Sequence, residues 1–185
     1  QTTYTFDIFY LHVFAPLLLG SKVVLQDKSV NIDYIKLQKN IGLYKPDFIQ
    51  ATPSTWQMLT DIGFNRQNGL TILSGGEPLK EALKNRLVKI GDKVWNMYGP
   101  TEATIWATAK LVDFDNPVNI GAPLFNYQIN ILDAMDQLTP LGIVGEICFG
   151  GDSLAKGYLG RPHLDKLKFI PHPYKETERL YRTGD

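Results

Sequence analysis

Apolar positions in the first half of the chain alternate between short β-branched runs and longer stretches with helical spacing. Asp7 precedes an apolar stretch, Tyr10 to Leu19, that stops at Gly20, which predicts a short helix. Lys22–Gln26 reads as a buried strand by its composition. Asn31 is placed to cap a helix whose apolar face would be Ile32, Ile35 and Leu37, ending near Gly42. Asp47–Gln50 predicts a strand, and Pro53 suits the first turn of a helix through Leu59. Leu70–Leu73 predicts another strand. After Gly75 and Gly76, Pro78 opens a helix carrying Leu79, Leu83 and Leu87 at four-residue spacing, and Lys93–Tyr98 predicts a further strand.

Strands separated by single helices predict an α/β fold of βαβ units around a largely parallel sheet. Ligands of such sheets gather beyond the carboxyl ends of the strands. Near Asp113–Asn119, a stretch rich in Asp, Asn and Pro, the rhythm changes. Short β-type runs follow at Gln128–Leu132 and Gly145–Phe149, bounded by Gly and Pro with no long helix between them. We therefore expect an α/β subdomain over residues 1–112 and a smaller, mostly antiparallel β subdomain over residues 113–185.

Composition narrows the partners. The chain has 185 residues with 19 basic and 19 acidic side chains, so no broad field draws it to nucleic acid or an anionic membrane. The apolar patch Val13–Leu19 is far too short to cross a bilayer. Cys148 is the single cysteine, which fits a reducing compartment such as the cytoplasm, and its apolar run makes it a core residue. His12, His163 and His172 are too scattered to suggest a metal site. The chain opens in mid-pattern at Gln1 and stops on Arg182-Thr183-Gly184-Asp185, so it reads as a piece of a larger domain.

The strongest chemical signal is Asn96-Met97-Tyr98-Gly99-Pro100-Thr101-Glu102-Ala103-Thr104. A strand feeds a tight turn that presents an aromatic ring, a hydroxyl and a carboxylate. A nucleoside triphosphate needs that set: the ring can lie on a base, the hydroxyl can reach a phosphate oxygen, and the carboxylate can hold Mg²⁺. A surface turn leading to a helix capped at Thr101 fits the same residues.

That segment resembles the signature of the adenylate-forming superfamily, which includes peptide-synthetase adenylation domains, acyl-CoA synthetases and luciferases. Further motifs follow the family's order: Phe6-Asp7, Gly75-Gly76-Glu77, Gly145-Glu146-Ile147-Cys148 with Gly150-Gly151, Gly157-Tyr158-Leu159-Gly160-Arg161-Pro162, and Tyr181-Arg182-Thr183-Gly184-Asp185. The resemblance implies that a carboxylic acid is activated by ATP to an acyl-adenylate, then passed to the phosphopantetheine thiol of a carrier domain. It implies that Tyr98 stacks on adenine, Thr101 contacts phosphate, Glu102 binds Mg²⁺ and Asp185 accepts from the ribose hydroxyls. Asn96, Gly75, Gly76, Glu77 and Gly99 would line the nucleotide pocket. Read alone, Gly75-Gly76 is an ordinary strand-to-helix turn, Gly150–Pro162 is structural, and Arg182 with Asp185 is a surface pair.

The same resemblance places Asp7 against the α-ammonium of an amino-acid substrate, although Asp7 is equally suited to cap the helix after it. The remaining acid-pocket positions would be Ile8, Leu11, Ser54, Ile72, Ser74, Met97, Ile105 and Trp106. This lining has no second charge and a bulky Trp106, which favours a small amino acid, glycine first, unless Trp106 is plain core packing. Phe9 stands where the family often has serine, and His12 where an acidic residue is frequent. Members carry a phosphate-gripping loop upstream and a lid with a lysine downstream, so the 185 residues alone are expected to lack useful adenylating activity. Condensation and peptidyl carrier domains of a parent synthetase are the implied partners. An acyl-CoA synthetase and a non-catalytic nucleotide-binding remnant are the rival readings.

Overall fold

The computed structural model of the chain describes residues 3–27 and 33–185. Asn31 and Ile32, the predicted cap and first apolar position of the second helix, lie outside the described residues. The chain divides into two compact units, Gln1–Tyr98 with Ala109–Gly121, and Gly99–Thr108 with Ala122–Asp185.

In the first unit, α1 (Ile8–Leu18) starts at Asp7, whose Oδ1 accepts the Ile8 N–H at 2.7 Å. No residue of α1 is buried, and Tyr10, Phe14 and Leu17 are each more than half exposed. His12 Nε2 donates to Gln50 Oε1, and partial burial lowers the His12 pKa. The predicted strand at Lys22–Gln26 does not form, and Val24 and Leu25 are exposed. A β-branched run becomes a strand only where a neighbouring edge takes up its N–H and C=O groups. Helix α2 (Tyr34–Tyr44) is capped by Asp33, which accepts the Lys36 N–H at 3.0 Å. Its buried stripe is Leu37 and Ile41; Ile35 is exposed and takes no part in it.

The sheet of this unit runs β1 (Phe48–Ala51), β2 (Thr71–Gly75), β3 (Lys93–Tyr98) and β4 (Thr108–Leu111), hydrogen-bonded in that order. β1, β2 and β3 are parallel, with Ser74 paired to Asn96 and Gly75 to Met97. Helix α3 (Pro53–Asp61) follows β1 with Thr52 as its cap, and α4 (Glu81–Ile90) follows β2. The α4 helix begins after Lys80, not at Pro78, because Lys80 has extended backbone (φ −84°, ψ 148°). Leu79, Leu83 and Leu87 are nonetheless all buried, beside Trp56, Leu59, Leu70 and Val94 in one core. Trp56 is fully buried and donates from Nε1 to the Leu73 carbonyl, tying α3 to β2. Lys84 is buried too, with Nζ on the Asn116 carbonyl and Glu81 Oε2, both at 2.8 Å.

The second unit holds a 3₁₀ turn at Thr101–Ala103, the two-residue β5 (Ala122–Pro123), and a separate antiparallel sheet. That sheet has β6 (Tyr127–Leu132), β7 (Glu146–Gly151), β8 (Phe169–His172) and β9 (Lys175–Arg182) in the order β6-β7-β9-β8. The predicted α/β class, a largely parallel sheet plus an antiparallel β part, is borne out. Five elements carry no sequence expectation: β4, β5, α5 (Pro162–Lys168), β8 and β9. α5 buries no residue and so leaves no apolar period, while β9 is polar until Leu180 and Tyr181. Cys148 is buried with Leu132, Ile170 and Leu180, and burial pushes its thiol up to about 11. Among the described residues no helix is long and apolar enough to cross a membrane.

Candidate nucleotide and acid site

The turn after β3 is built by glycine. A Cβ on Gly99 would lie 2.6 Å from Ala107 N, 2.7 Å from Ile105 O and 2.8 Å from Trp106 Cα, so the chain doubles back on itself there. The 3₁₀ turn that follows presents Thr101, exposed, and Glu102, half-buried. The alternative of a helix capped at Thr101 is not realised: Pro100 precedes a single 3₁₀ turn that begins at Thr101, with no side-chain cap. It ends in two consecutive left-handed residues, Thr104 (φ 56°) and Ile105 (φ 71°). A β-branched residue in that region is strained, and such strain persists only where the surroundings hold it. Here Tyr127 donates from its hydroxyl to the Ala103 and Thr104 carbonyls at 2.6 and 3.0 Å, and Thr104 Oγ1 donates to Ser153 O at 2.6 Å. Trp106 is buried with its indole N–H lacking a partner among the described residues.

The glycine-rich stretch Gly150–Pro162 packs on this turn. Ala155 N donates to the Glu102 carbonyl at 2.8 Å, and the Tyr158 hydroxyl donates to Glu102 Oε1. The closing motif is anchored on β7. Thr183 donates from N and Oγ1 to Ile147 O at 3.2 and 2.7 Å, and Ile147 N donates to Asp185 O at 3.0 Å. Glu146 takes Arg182 through Nε and Nη2, and the Gly184 N–H at 2.9 Å. These bonds hold the Glu146 carboxyl below the ordinary range against the opposing pull of burial. Asp185 is exposed at the end of this turn.

In the first unit, several predicted residues gather at the carboxyl ends of β2 and β3. Ser74 is fully buried with its hydroxyl unpartnered among the described residues, and its register partner Asn96 donates from Nδ2 to Asn119 O at 2.9 Å. Met97 and Tyr98 are partly exposed. Ile72 belongs to the hydrophobic core and lies where a Cβ on Gly91 would touch it at 2.8 Å. Gly76 needs its glycine, having φ +86°. Glu77 and Ser54, predicted for different pockets, are brought together: Glu77 Oε2 accepts Ser54 N at 2.9 Å and Ser54 Oγ at 2.5 Å. Asp7, Ile8 and Leu11 are partly buried on α1. A shallow cleft of ≈ 290 Å³ lined by Lys45, Pro46, Arg66, Gln67 and Asn68 contains none of the predicted residues.

Glu77 sits at the N-terminus of α3, where a carboxylate faces the helix's unpaired N–H groups. Burial raises its pKa, but bonds from the Ser54 side chain and backbone and from Thr52 outweigh it, leaving the carboxyl below its ordinary value. A depressed carboxyl contributes stability above its unfolded pKa and loses it as the pH falls through the folded one. Glu77 is exposed and solvent screens its charge, so Glu77→Gln is expected to cost only about 0.3–0.5 kcal/mol at neutral pH and progressively less on acidification. Thermal unfolding of both proteins from pH 7 downward checks this; a gap that widens toward acid refutes it.

Among the described residues no group of three or more His, Cys, Asp or Glu is arranged to hold an ion. Mg²⁺ needs no such cage, because it binds through one or two carboxylates together with substrate phosphates and water. A half-exposed Glu102 with one oxygen engaged by Tyr158 fits that mode.

Residues 2–159 match the model of a family described as AMP-binding enzyme. The chain is 37% identical over 187 residues to a dimodular nonribosomal peptide synthase of Bacillus subtilis (strain 168), covering 100% of this chain and 8% of that protein. It is 37% identical over 191 residues to bacitracin synthase 1 of Bacillus licheniformis, covering 100% of this chain and 4% of that protein. A crystal structure of a four-domain nonribosomal peptide synthetase, holo and bound to AMP and glycine, is similar with a TM-score of 0.94 at 40% identity, over 100% of this chain and 14% of that one. The chain thus spans only a small part of the proteins it matches. With a family match running through its signature turn and most of its length, the chain belongs to the family of AMP-binding enzymes.

Proposed function

We propose that these residues form part of the adenylation domain of a nonribosomal peptide synthetase that activates a small amino acid, glycine first. The observation that carries this reading is the turn after β3, which is closed by Gly99 and presents Thr101 and Glu102, with Glu102 bonded to Tyr158. The similarity to a synthetase bound to AMP and glycine supports it.

In this reading the substrate carboxylate oxygen attacks the α-phosphorus of ATP, the bond to the β-phosphate oxygen breaks, and pyrophosphate leaves. Tyr98 stacks on the adenine, Thr101 donates to phosphate, Glu102 would hold Mg²⁺, and Asp185 accepts from the ribose hydroxyls. Bound Mg²⁺ would neutralise phosphate charge. Asp7 pairs with the α-ammonium. Such chemistry asks the protein for positioning and electrostatics, with no covalent step on its own side chains. A phosphopantetheine thiol on a carrier domain then attacks the acyl carbon, the bond to the phosphate oxygen breaks, AMP leaves, and a condensation domain consumes the resulting thioester.

The test is ATP–pyrophosphate exchange by the whole protein that carries this chain, across a panel of acids. Glycine is expected to give the highest kcat/KM, and amino acids with charged side chains essentially none. Exchange driven by fatty acids and by no amino acid would instead identify an acyl-CoA synthetase. Binding of ATP and Mg²⁺ in calorimetry with no exchange for any acid would identify a non-catalytic remnant.

A further inference from the structure

Tyr158 takes no part in the adenylation chemistry itself, yet its hydroxyl reaches the carboxylate on which the metal reading depends. We propose that Tyr158 is a positioning residue for Glu102: it holds one carboxylate oxygen so that the other faces a magnesium-bound nucleotide. This rests on Glu102 being the Mg²⁺ ligand.

Both ends of the bond are anchored. Tyr158 N donates to Asp165 Oδ1 at 2.6 Å, and the ring lies edge-on to Phe169 with centroids 5.8 Å apart. Gly157 lets the backbone pass, having φ +149° and room for no Cβ, which would fall 2.7 Å from Asp165 Oδ1. On the other side, Ala155 N grips the Glu102 carbonyl. Tyr181 is buried against Phe169, with ring centroids 5.2 Å apart, and extends the aromatic packing that holds the Tyr158 ring.

The consequence is physical. A free glutamate side chain loses rotamer freedom when it takes up a cation, whereas one already held does not lose it again. Hydrogen-bond partners that orient a ligating side chain are worth about 10–100-fold in metal affinity.

Tyr158→Phe in the whole protein removes one oxygen and keeps the ring on Phe169. The apparent KM for Mg²⁺ in pyrophosphate exchange is expected to rise about tenfold, with kcat at saturating Mg²⁺ and KM for the amino acid little changed. Mn²⁺ affinity in the presence of a non-hydrolysable ATP analogue, read by electron paramagnetic resonance, should fall by a similar factor without any turnover. Glu102→Gln should raise the metal requirement further, and adding Tyr158→Phe to it should change nothing more. A wild-type metal requirement in Tyr158→Phe, additive effects in the double variant, or a lower kcat at every Mg²⁺ concentration with unchanged metal KM each overturn the inference while leaving Glu102 as a ligand. A wild-type metal requirement in Glu102→Gln overturns that reading of Glu102 and this inference with it.

Discussion

Alanine at position 99 is expected to destabilise the second unit by about 2–3 kcal/mol and to abolish nucleotide-dependent activity. Its Cβ would meet three backbone atoms, Ala107 N, Ile105 O and Trp106 Cα, at 2.6, 2.7 and 2.8 Å. No rotamer change relieves a clash with backbone. The turn has little freedom to step outward, since Ala103, Trp106 and Ala107 are buried and the Leu124 N–H holds the Ala107 carbonyl at 2.9 Å. Thr104 and Ile105 already occupy left-handed backbone, so the loop has no slack to absorb a further shift. The measurement is the urea midpoint together with pyrophosphate exchange. Gly42→Ala is the control: it lies in α2 with nothing within 4 Å of its Cβ, and should gain about 0.5–1 kcal/mol. A Gly99→Ala protein as stable as the Gly42→Ala protein would show that the turn is not packed as described.

What the sequence discloses about this turn follows from how local each cause is. Strand β3 is legible to the residue, because an apolar run ends at a Gly-Pro turn and both signals lie in adjacent positions. The signature side chains Thr101 and Glu102 are legible for the same reason. What holds them is not. Tyr158 is 56 residues from Glu102, and Tyr127 is 24 residues from Ala103. No periodicity links such pairs, and the stretch around Tyr158 reads only as glycine-rich turns.

The misreadings have the same origin. Lys22–Gln26 has the composition of a strand, but a strand requires a partner edge that composition does not reveal. Ile35 fits an apolar face by spacing, but Leu37 and Ile41 face the core, and a stripe is set by what lies opposite it. The bond between Ser54 and Glu77 is a long-range contact of the same kind, unannounced by any local pattern and separate from the roles that the resemblance implies for them. Local chemistry is readable; contacts between distant segments are not.

A second large effect, on activity without loss of fold, is expected at Asp7. Under the proposed function its carboxylate faces the substrate ammonium, and truncating one partner of such a desolvated charge pair costs about 3 kcal/mol, or about a hundredfold in kcat/KM. The structure adds a complication, since Asp7 Oδ1 also takes the Ile8 N–H at the start of α1. Asp7→Ala therefore removes a helix cap as well as a charge, and the cap alone is worth about 1 kcal/mol. Asp7→Asn separates the two, because its amide oxygen can still accept from Ile8 while the negative charge is gone. We expect Asp7→Asn to unfold at nearly the wild-type temperature yet lose about a hundredfold in glycine-dependent exchange, with KM for ATP unchanged. Asp7→Ala should match that loss and melt lower. If Asp7→Asn retains full exchange and only Asp7→Ala is impaired, the residue serves the helix alone, and the amino-acid assignment loses its recognition element.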